Sequence, residues 1–250
     1  MGVEGLTAIV TGAARGIGKA IAAELAGRGA NLALCDIDAS GLAAAASALA
    51  AGHPALTVLQ RRVDVAREDE IRDFVGFTDS ALGPADILVN NAGIYILKPI
   101  EEIGVEEWDR VLAVNLRSVF LFTREVLPGM RTRKFGRIIN IASAAGISGG
   151  TVCGSHYAAS KGGMLAFTRH LAKQVGQEGV TVNAVAPSSI AADMVLNLPP
   201  HLKQKAIDAT VVKRLGTTEE VAAAAAFLAD RNSGFITGET LQINGGCIMS

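Results

Sequence analysis

The stretch "TGAARGIG", residues 11–18, follows the apolar run "LTAIVT" at 6–11 and leads into a segment with helical character. Its glycines, Gly12, Gly16 and Gly18, permit a tight turn between strand and helix. They also let backbone amides approach a pyrophosphate, which the helix N-terminus then stabilises. The stretch therefore predicts a dinucleotide-binding loop at the first strand-to-helix turn.

Further apolar runs, separated by helical segments, continue this pattern along the chain. With the first, they give seven candidate strands: 6–11, 30–36, 55–65, 85–91, 136–143, 180–187 and 239–246. Nearly continuous Val, Ile and Leu indicate strands buried on both faces, and helical connections imply a parallel sheet with right-handed crossovers. No repeat or linker divides the chain. We predict one α/β domain over residues 1–250, a Rossmann-like, doubly wound sheet of seven strands with helices on both faces.

An acidic residue, Asp36, ends the second predicted strand. A carboxylate there can accept hydrogen bonds from the adenosine ribose hydroxyls, and it repels a 2′-phosphate. Arg15 in the glycine loop acts in the opposite sense, because a guanidinium can pair with that phosphate. The guanidinium of Arg15 can turn into solvent, whereas Asp36, at the end of a strand, cannot easily move away from the ribose. We therefore rank Asp36 above Arg15 and predict NAD as cofactor, with NADP second.

Composition narrows the partners to small molecules. Lys plus Arg number 23 against 24 Asp plus Glu, and a net charge of −1 gives no field for nucleic acid or an acidic membrane. The spacing of Cys35, Cys153 and Cys247 suits neither a disulfide framework nor a metal site. No export signal is recognised, and the longest apolar run is too short to span a bilayer. A reducing cytoplasm is the expected location.

Tyr157 and Lys161 lie four residues apart in "SHYAASK", residues 155–161. On a helix this spacing places both side chains on one face. A cation within about 4–6 Å favours the phenolate form of a tyrosine, which would lower its pKa toward neutrality. Taken alone, the pair is more readily interpreted as two surface residues.

The order of "TGAARGIG", "NNAG" at 90–93, Tyr157-x-x-x-Lys161 and "NAVAP" resembles the short-chain dehydrogenase/reductase family, over essentially all 250 residues. The glycine spacing is that of the compact members of the family. The spacing from tyrosine to lysine differs from that of the enoyl reductases, which place more residues between the two.

This resemblance implies a catalytic tetrad. Tyr157 would be the general acid–base, and Lys161 would lower its pKa and bind the nicotinamide ribose. Ser143 would hold the substrate oxygen, and Asn115 would keep a water that connects Lys161 to solvent. The set is chemically coherent, because hydride transfer develops charge on one oxygen that a donor, a hydroxyl and a cation can stabilise.

The resemblance also implies a set of cofactor-binding positions. Asp64 and Val65 would bracket the adenine, above a floor formed by residues 91–93, although Asn91 could instead tie neighbouring strands together. The whole set is Gly12, Arg15, Gly16, Ile17, Gly18, Asp36, Asp64, Val65, Asn91, Ala92, Gly93, Tyr157, Lys161, Pro187, Ser188 and Ile190. His156 is interpreted as packing or as pocket wall, and Cys153 as a loop residue that could line the pocket.

Two features depart from the family pattern. Ser143 precedes Tyr157 by fourteen positions, one more than usual, so the intervening loop must bulge. After the sixth strand, Ser188 replaces a glycine and Ala192 replaces the threonine that would bond the nicotinamide carboxamide. The segment at about 188–216 is expected to form a substrate lid.

The resulting hypothesis is an NAD-dependent dehydrogenase of a small secondary alcohol, assembled as a homotetramer. The alternative is an NADPH-dependent 3-oxoacyl-carrier-protein reductase, whose pattern the C-terminal region resembles. Glu178 speaks against it, because carrier-protein reductases usually offer arginine there and an acidic carrier would be repelled. A non-catalytic dinucleotide sensor or scaffold is the third possibility, which the intact tetrad disfavours.

Overall fold

All seven predicted strands are present in one parallel sheet. The structure, a computed structural model, describes residues 2–150, 152–192, 196–197 and 199–249. The strands are β1 (Thr7–Thr11), β2 (Asn31–Asp36), β3 (Val58–Arg62), β4 (Ile87–Asn90), β5 (Gly136–Ile141), β6 (Val180–Pro187) and β7 (Thr240–Ile243). Their order across the sheet is β3-β2-β1-β4-β5-β6-β7. The prediction of a doubly wound parallel sheet is confirmed.

Helices cover both faces of this sheet. Within the described residues they are α1 (Gly16–Gly27), α2 (Ala39–Gly52), α3 (Glu68–Leu82), α4 (Val105–Leu112), α5 (Ser118–Arg133), α6 (Ala145–Ser148), α7 (Ser155–Val175), α8 (Pro200–Asp208) and α9 (Thr218–Ala229). One core layer joins α1, α2 and α9 to the sheet, and the other joins α3, α5 and α7. Phe74 and Phe122 meet edge to face in the second layer, with ring centroids 6.4 Å apart. Two layers explain why the central strands read as continuous apolar runs.

The strand order reverses between β1 and β4, and this point fixes the location of the site. The chain builds β1, β2 and β3 outward in one direction, and then starts β4 on the other side of β1. In open α/β sheets, ligands bind in the crevice at the carboxyl ends of the strands where the order reverses. Here that crevice lies between the glycine loop after β1 and the segment "NAG" at 91–93 after β4.

Hydrogen bonds hold the two ends of the predicted lid segment, 188–216, to each other. Ile190 and Gly216 form an isolated parallel bridge, in which Ala191 N donates to Gly216 O at 2.8 Å. Ser189 Oγ donates to Ala206 O of α8 at 3.2 Å. Residues 193–195 and 198 of the predicted lid fall outside the described residues. No helix among the described residues is long and apolar enough to cross a membrane.

Candidate active site

The predicted cofactor residues lie at the carboxyl ends of the strands. They follow β1 (Gly12, Arg15, Gly16, Ile17, Gly18), end β2 (Asp36), follow β3 (Asp64, Val65), follow β4 (Asn91, Ala92, Gly93), and end or follow β6 (Pro187, Ser188, Ile190). Tyr157 and Lys161 belong to α7, and the side chain of Lys161 reaches the end of β5, where its Nζ donates to Ile141 O. One edge of the sheet therefore brings the predicted set together.

The glycine loop needs glycine for steric reasons. Gly12 and Gly16 have φ values of +66° and +54°. A Cβ on Gly18 would lie 2.1 Å from the carbonyl oxygen of Gly12 and 2.5 Å from Nδ2 of Asn91. Only a residue without Cβ lets the first turn of α1 approach the loop so closely. The N-terminus of α1 then presents its free amides toward a phosphate.

Asp36 is fixed against this loop. Its Oδ2 accepts from the N–H of Ala14 at 3.0 Å, and its Oδ1 accepts from the N–H of Asp38 at 3.0 Å. Hydrogen bonds from Gly41 and Ser40 lower the pKa of Asp38, and the charge of Arg15 acts in the same direction. The rim of the predicted ribose site therefore holds two carboxylates beside one guanidinium.

Asn91 and the residues after β3 have structural partners. Nδ2 of Asn91 donates to the carbonyls of Thr11 at 2.9 Å and Gly12 at 3.0 Å, so this side chain ties β4 to β1. Asn91 therefore makes the contacts between neighbouring strands that the sequence analysis gave as the alternative to cofactor binding. Asp64 accepts from the N–H of Ala66 at 3.0 Å, and Val65 is buried.

Three members of the predicted tetrad meet at the end of β5. Ser143 Oγ accepts from the N–H of Ala145 at 3.1 Å, and it interacts with the hydroxyl of Tyr157 so as to lower the pKa of that phenol. Lys161 Nζ lies 5.8 Å from the ring centroid of Tyr157 and donates to Ile141 O at 2.7 Å. The longer loop between Ser143 and Tyr157 is accommodated by α6 and by two left-handed glycines, Gly149 and Gly150.

The pKa values of this cluster are governed by burial. Burial raises the pKa of Tyr157 to about 12, although the hydrogen bond with Ser143 acts in the opposite direction. Burial lowers the pKa of Lys161 to about 8. The sequence predicted that Lys161 lowers the pKa of Tyr157. In the structure, desolvation of the phenol has the larger influence, and the pKa of Tyr157 is raised. At pH 7, Tyr157 is therefore a neutral proton donor beside a predominantly charged lysine.

Asn115 lies in a π-helical turn, Ala113–Arg117, between α4 and α5. Its Oδ1 accepts from the N–H of Ile94 at 2.8 Å, and its Nδ2 donates to the carbonyl of Ile94 at 2.9 Å and to Ser160 Oγ at 3.1 Å. The side chain therefore connects the segment after β4 to α7, next to Lys161. Single π-turns are common at functional sites. Its role in holding a water stays a prediction.

Sequence reasoning missed Tyr95, which forms a wall of the site. Its ring meets Tyr157 edge to face with centroids 5.2 Å apart, and its hydroxyl donates to the carbonyl of Val152. The available signal was its position, two residues after "NNAG", in a chain with only two tyrosines. Cys153, which the sequence interprets first as a loop residue, lies near enough to both phenols to raise the pKa of each. That it lines the substrate pocket stays a prediction.

The departure after β6 leaves one hydroxyl to compensate for the missing threonine. Ser189 has a φ of +55° and uses its hydroxyl on α8. Ala192 lies opposite the glycine loop, since a Cβ on Gly16 would come within 3.9 Å of its own Cβ. Because the hydroxyl of Ser189 is used on α8, Ser188 is the serine that we expect to meet a carboxamide.

We expect Ala192→Thr to tighten NAD binding several-fold. A neutral hydrogen bond is worth roughly 0.5–1.5 kcal/mol, which corresponds to about 2- to 13-fold in affinity. Calorimetric titration with NAD measures this, and Ser189→Ala serves as the matched control that should leave affinity nearly unchanged. If Ser188→Ala weakens binding and Ala192→Thr gains little, Ser188 already holds the carboxamide.

Comparison with known proteins gives matches over the full length of the chain. A family model described as enoyl-(acyl carrier protein) reductase matches residues 12–247. A 3-oxoacyl-(acyl-carrier-protein) reductase FabG of Vibrio cholerae is 39% identical over 100% of both chains. Nodulation protein G of Azospirillum brasilense is 38% identical over 96% of both. A D-beta-hydroxybutyrate dehydrogenase of Rhizobium meliloti is 37% identical over 96% of this chain and 97% of its own.

Solved structures agree. A blue fluorescent protein from a metagenomic library, in complex with NADPH, superposes with a TM-score of 0.92 at 33% identity over 100% of both chains. Levodione reductase gives a TM-score of 0.91 at 35% identity over 97% of both. Since identity stays at 33–39% from end to end in both kinds of comparison, the chain belongs to the short-chain dehydrogenase/reductase family of oxidoreductases.

Proposed function

We propose that this protein is an NAD(H)-dependent oxidoreductase that interconverts a small, neutral secondary alcohol and its ketone. The observation that carries the proposal is the cluster formed by Ser143 and the buried side chains of Tyr157 and Lys161 at the carboxyl edge of the sheet. A proton donor, a hydroxyl and a cation at one point suit the single oxygen on which charge develops during hydride transfer.

The glycine loop fits a dinucleotide. The loop leaves no room for a Cβ at Gly12, which would lie 2.8 Å from Cα of Ala92, nor at Gly18. At Gly16, between them, a Cβ would meet nothing closer than Cβ of Ala192 at 3.9 Å, so this side of the loop is open to a pyrophosphate at the N-terminus of α1. A dinucleotide held by this loop would supply the hydride for reduction from its nicotinamide, or accept a hydride in oxidation.

The side chains move the proton. During reduction, the carbonyl carbon gains a hydride and its oxygen gains the proton of Tyr157, so the alcohol leaves and a phenolate remains. Ser143 orients the oxygen, and the ammonium of Lys161 stabilises the phenolate until a proton returns from solvent. An ammonium has three N–H donors, and the bond to Ile141 O uses one of them.

The surroundings of Tyr157 favour a neutral substrate. Besides burial, the groups that influence the pKa of its phenol are Ser143, Cys153 and Tyr95. Burial raises the pKa of both Cys153 and Tyr95, so each is uncharged at pH 7. Apart from the ammonium of Lys161, which in this proposal serves the phenolate, a substrate carboxylate would find no fixed countercharge among these neighbours. The three cysteines are free thiols, which supports our proposal of a reducing cytoplasm as the location.

Reduction of a 3-oxoacyl group on a carrier protein is the second candidate, and the relatives named as such reductases favour it. The objection from Glu178 is weaker in the structure than in the sequence. Its Oε2 lies 2.5 Å from Nε of Arg131, so part of its charge is compensated. The same ion pair, however, also compensates part of the charge of Arg131, which could otherwise attract an acidic carrier.

A panel of ketones and alcohols separates the candidates when NADH and NADPH absorbance is followed at 340 nm. We expect turnover of small neutral ketones with NADH. Preferential turnover of a 3-oxoacyl thioester on carrier protein with NADPH would support the second candidate. No turnover of any kind, with a dinucleotide still bound in calorimetry, would support a sensor or scaffold.

Asp36→Ser is expected to relax the preference for NAD over NADP. The substitution removes a carboxylate that repels the 2′-phosphate, and Arg15 then acts without that opposition. The ratio of kcat/KM for the two cofactors measures the change, and Asp38→Ser tests whether the second carboxylate contributes. A wild-type protein that already uses both cofactors equally would contradict the ranking of Asp36 above Arg15.

A homotetramer is proposed from the outer surface of α5 and α7. Phe120 is 45% exposed and lies in a groove with Phe167, Leu127 and Leu171. Exposed apolar surface of this kind marks an interface, and two-fold symmetry would pair it with itself. Light scattering should give the mass of four chains, and Phe120→Glu should reduce it. A monomer at all concentrations would contradict the proposal.

A further inference from the structure

A buried histidine adjoins the catalytic tyrosine, and the reaction described above does not use it. The side chain of His156 is 0% exposed in the first turn of α7. Its ring packs over Gly154, where a Cβ would lie 2.4 Å from Cε1 of the imidazole. His156 is therefore packed, as the sequence interpretation had it, but it is not pocket wall. A buried imidazole needs polar partners, because an unpaired buried polar group is costly.

The two ring nitrogens have different partners. Nδ1 accepts from the backbone N–H of Tyr157 at 2.9 Å, and this N–H also donates to the carbonyl of Gly154 at 3.1 Å. Nε2 lies 3.3 Å from Oε1 of Glu107, which belongs to α4. Both of these atoms are buried, and within the described part of the chain neither makes a well-aligned hydrogen bond, so their contact is a close approach of the imidazole to the carboxylate. Because Nδ1 accepts a hydrogen bond and Nε2 faces a carboxylate, the imidazole is the neutral tautomer that carries its proton on Nε2.

Glu107 is itself held in place. Its Oε2 lies 3.1 Å from Nζ of Lys98, in the segment that follows β4. The hydrogen bond and charge of Lys98 lower the pKa of Glu107, and His156 contributes in the same direction. The carboxylate therefore stays ionised at neutral pH and can act as a hydrogen-bond acceptor for the N–H at Nε2 of the imidazole. Lys98, Glu107 and His156 form a chain from the loop after β4, through α4, to the backbone of Tyr157.

We propose that Glu107 and His156 are positioning residues for Tyr157. Glu107 fixes the orientation and tautomer of the imidazole, and the imidazole fixes the backbone amide of Tyr157, so that the phenol faces Ser143 and the substrate oxygen. The pair is not a proton route to the phenol, because Nδ1 meets the amide of Tyr157 rather than its hydroxyl. This inference rests on the proposed function only for its effect on turnover.

The first test requires no substrate. The chain contains two tyrosines, so protein labelled with ¹³Cζ-tyrosine gives two signals, which Tyr157→Phe assigns. His156→Gln can still reach Glu107 but has no acceptor at the Nδ1 position, whereas His156→Asn keeps that acceptor. We expect the Tyr157 signal to shift or broaden in His156→Gln and Glu107→Ala, and to stay near wild type in His156→Asn. Glu106→Ala, an exposed neighbour on α4, is the matched control.

The second test is kinetic. Misplacing a reacting group by about 1 Å can cost up to about 100-fold in rate. We expect kcat for a ketone to fall about 10- to 100-fold in His156→Gln and in Glu107→Ala, with KM and dinucleotide affinity within about two-fold of wild type. His156→Asn should recover most of the loss. Adding Glu107→Ala to His156→Asn should change little, because asparagine does not reach the carboxylate.

The outcomes separate the two proposals. An unchanged Tyr157 signal in both Glu107→Ala and His156→Gln would overturn the positioning role, as would equal losses in His156→Asn and His156→Gln. If His156→Gln fails to fold, Glu107→Ala with its Glu106→Ala control still decides the question. If the wild-type protein turns over no ketone, the proposed function fails, while the tyrosine signals still report on positioning.

Discussion

Tyr157→Phe is expected to lower kcat by about 10²–10⁴-fold, the range for loss of a general acid–base group. The substitution removes the transferable proton and leaves the ring, which is buried and meets Tyr95 edge to face. Since burial raises the pKa of Tyr157 to about 12, the group at pH 7 is a protonated donor. Single-turnover kinetics with reduced cofactor and a ketone measure the loss directly.

Tyr95→Phe is the matched control for this substitution. It removes the other phenolic hydroxyl of the chain, whose partner is the carbonyl of Val152, and it leaves the ring contact with Tyr157. We expect an effect far smaller than that of Tyr157→Phe. Dinucleotide affinity and thermal stability should remain near wild type in both variants. Comparable turnover in Tyr157→Phe and wild type would remove Tyr157 from the mechanism.

The sheet could be predicted from the sequence because its strands are buried on both faces. Burial on two sides leaves no polar alternation, so "ADILVNN" and "VTVNAVAP" read as continuous apolar runs, and the structure places β4 and β6 within them. The predicted bounds were too wide at β3, where the run 55–65 contains only Val58–Arg62 as strand. This strand lies at the edge of the sheet, where exposed positions interrupt the pattern.

Site residues could be predicted where local spacing carries the chemistry. Tyr157 and Lys161 share a helix face, and the glycines of the first loop are needed for its turn. Contacts between distant segments carry no such signal. The pairing of His156 with Glu107, and the contact of Tyr95 with Tyr157, depend on how α4 and the segment after β4 pack on α7. The balance of pKa values was also beyond the sequence, because it depends on burial.

Lys161→Met is expected to lower kcat by about 10²–10³-fold, on the scale found when one electrostatic group that stabilises a transition state is removed. Methionine keeps most of the length of the side chain and fits an apolar environment. Without the ammonium, the phenolate left by proton transfer loses its nearest cation, and a bond to Ile141 O is lost. Dinucleotide fluorescence titration separates this effect from any loss of cofactor binding.

The same substitution should change how stability depends on pH, and the sign follows from the pKa of Lys161. Folding lowers that pKa from 10.5 to about 8, so between these values the unfolded chain binds more protons than the folded one. The free energy of unfolding of the wild-type protein therefore increases as pH rises from about 8 to about 10.5. This contribution of Lys161 is complete above about pH 10.5 and is lost as pH falls toward 8. Lys161→Met lacks the group. Its free energy of unfolding, relative to wild type, should decline by roughly 3 kcal/mol between pH 8 and pH 10.5. Urea denaturation of both proteins at these two pH values measures the change. A difference between them that stays constant with pH would mean that Lys161 is solvated in the folded protein, and that its ammonium is not held at the expense of stability.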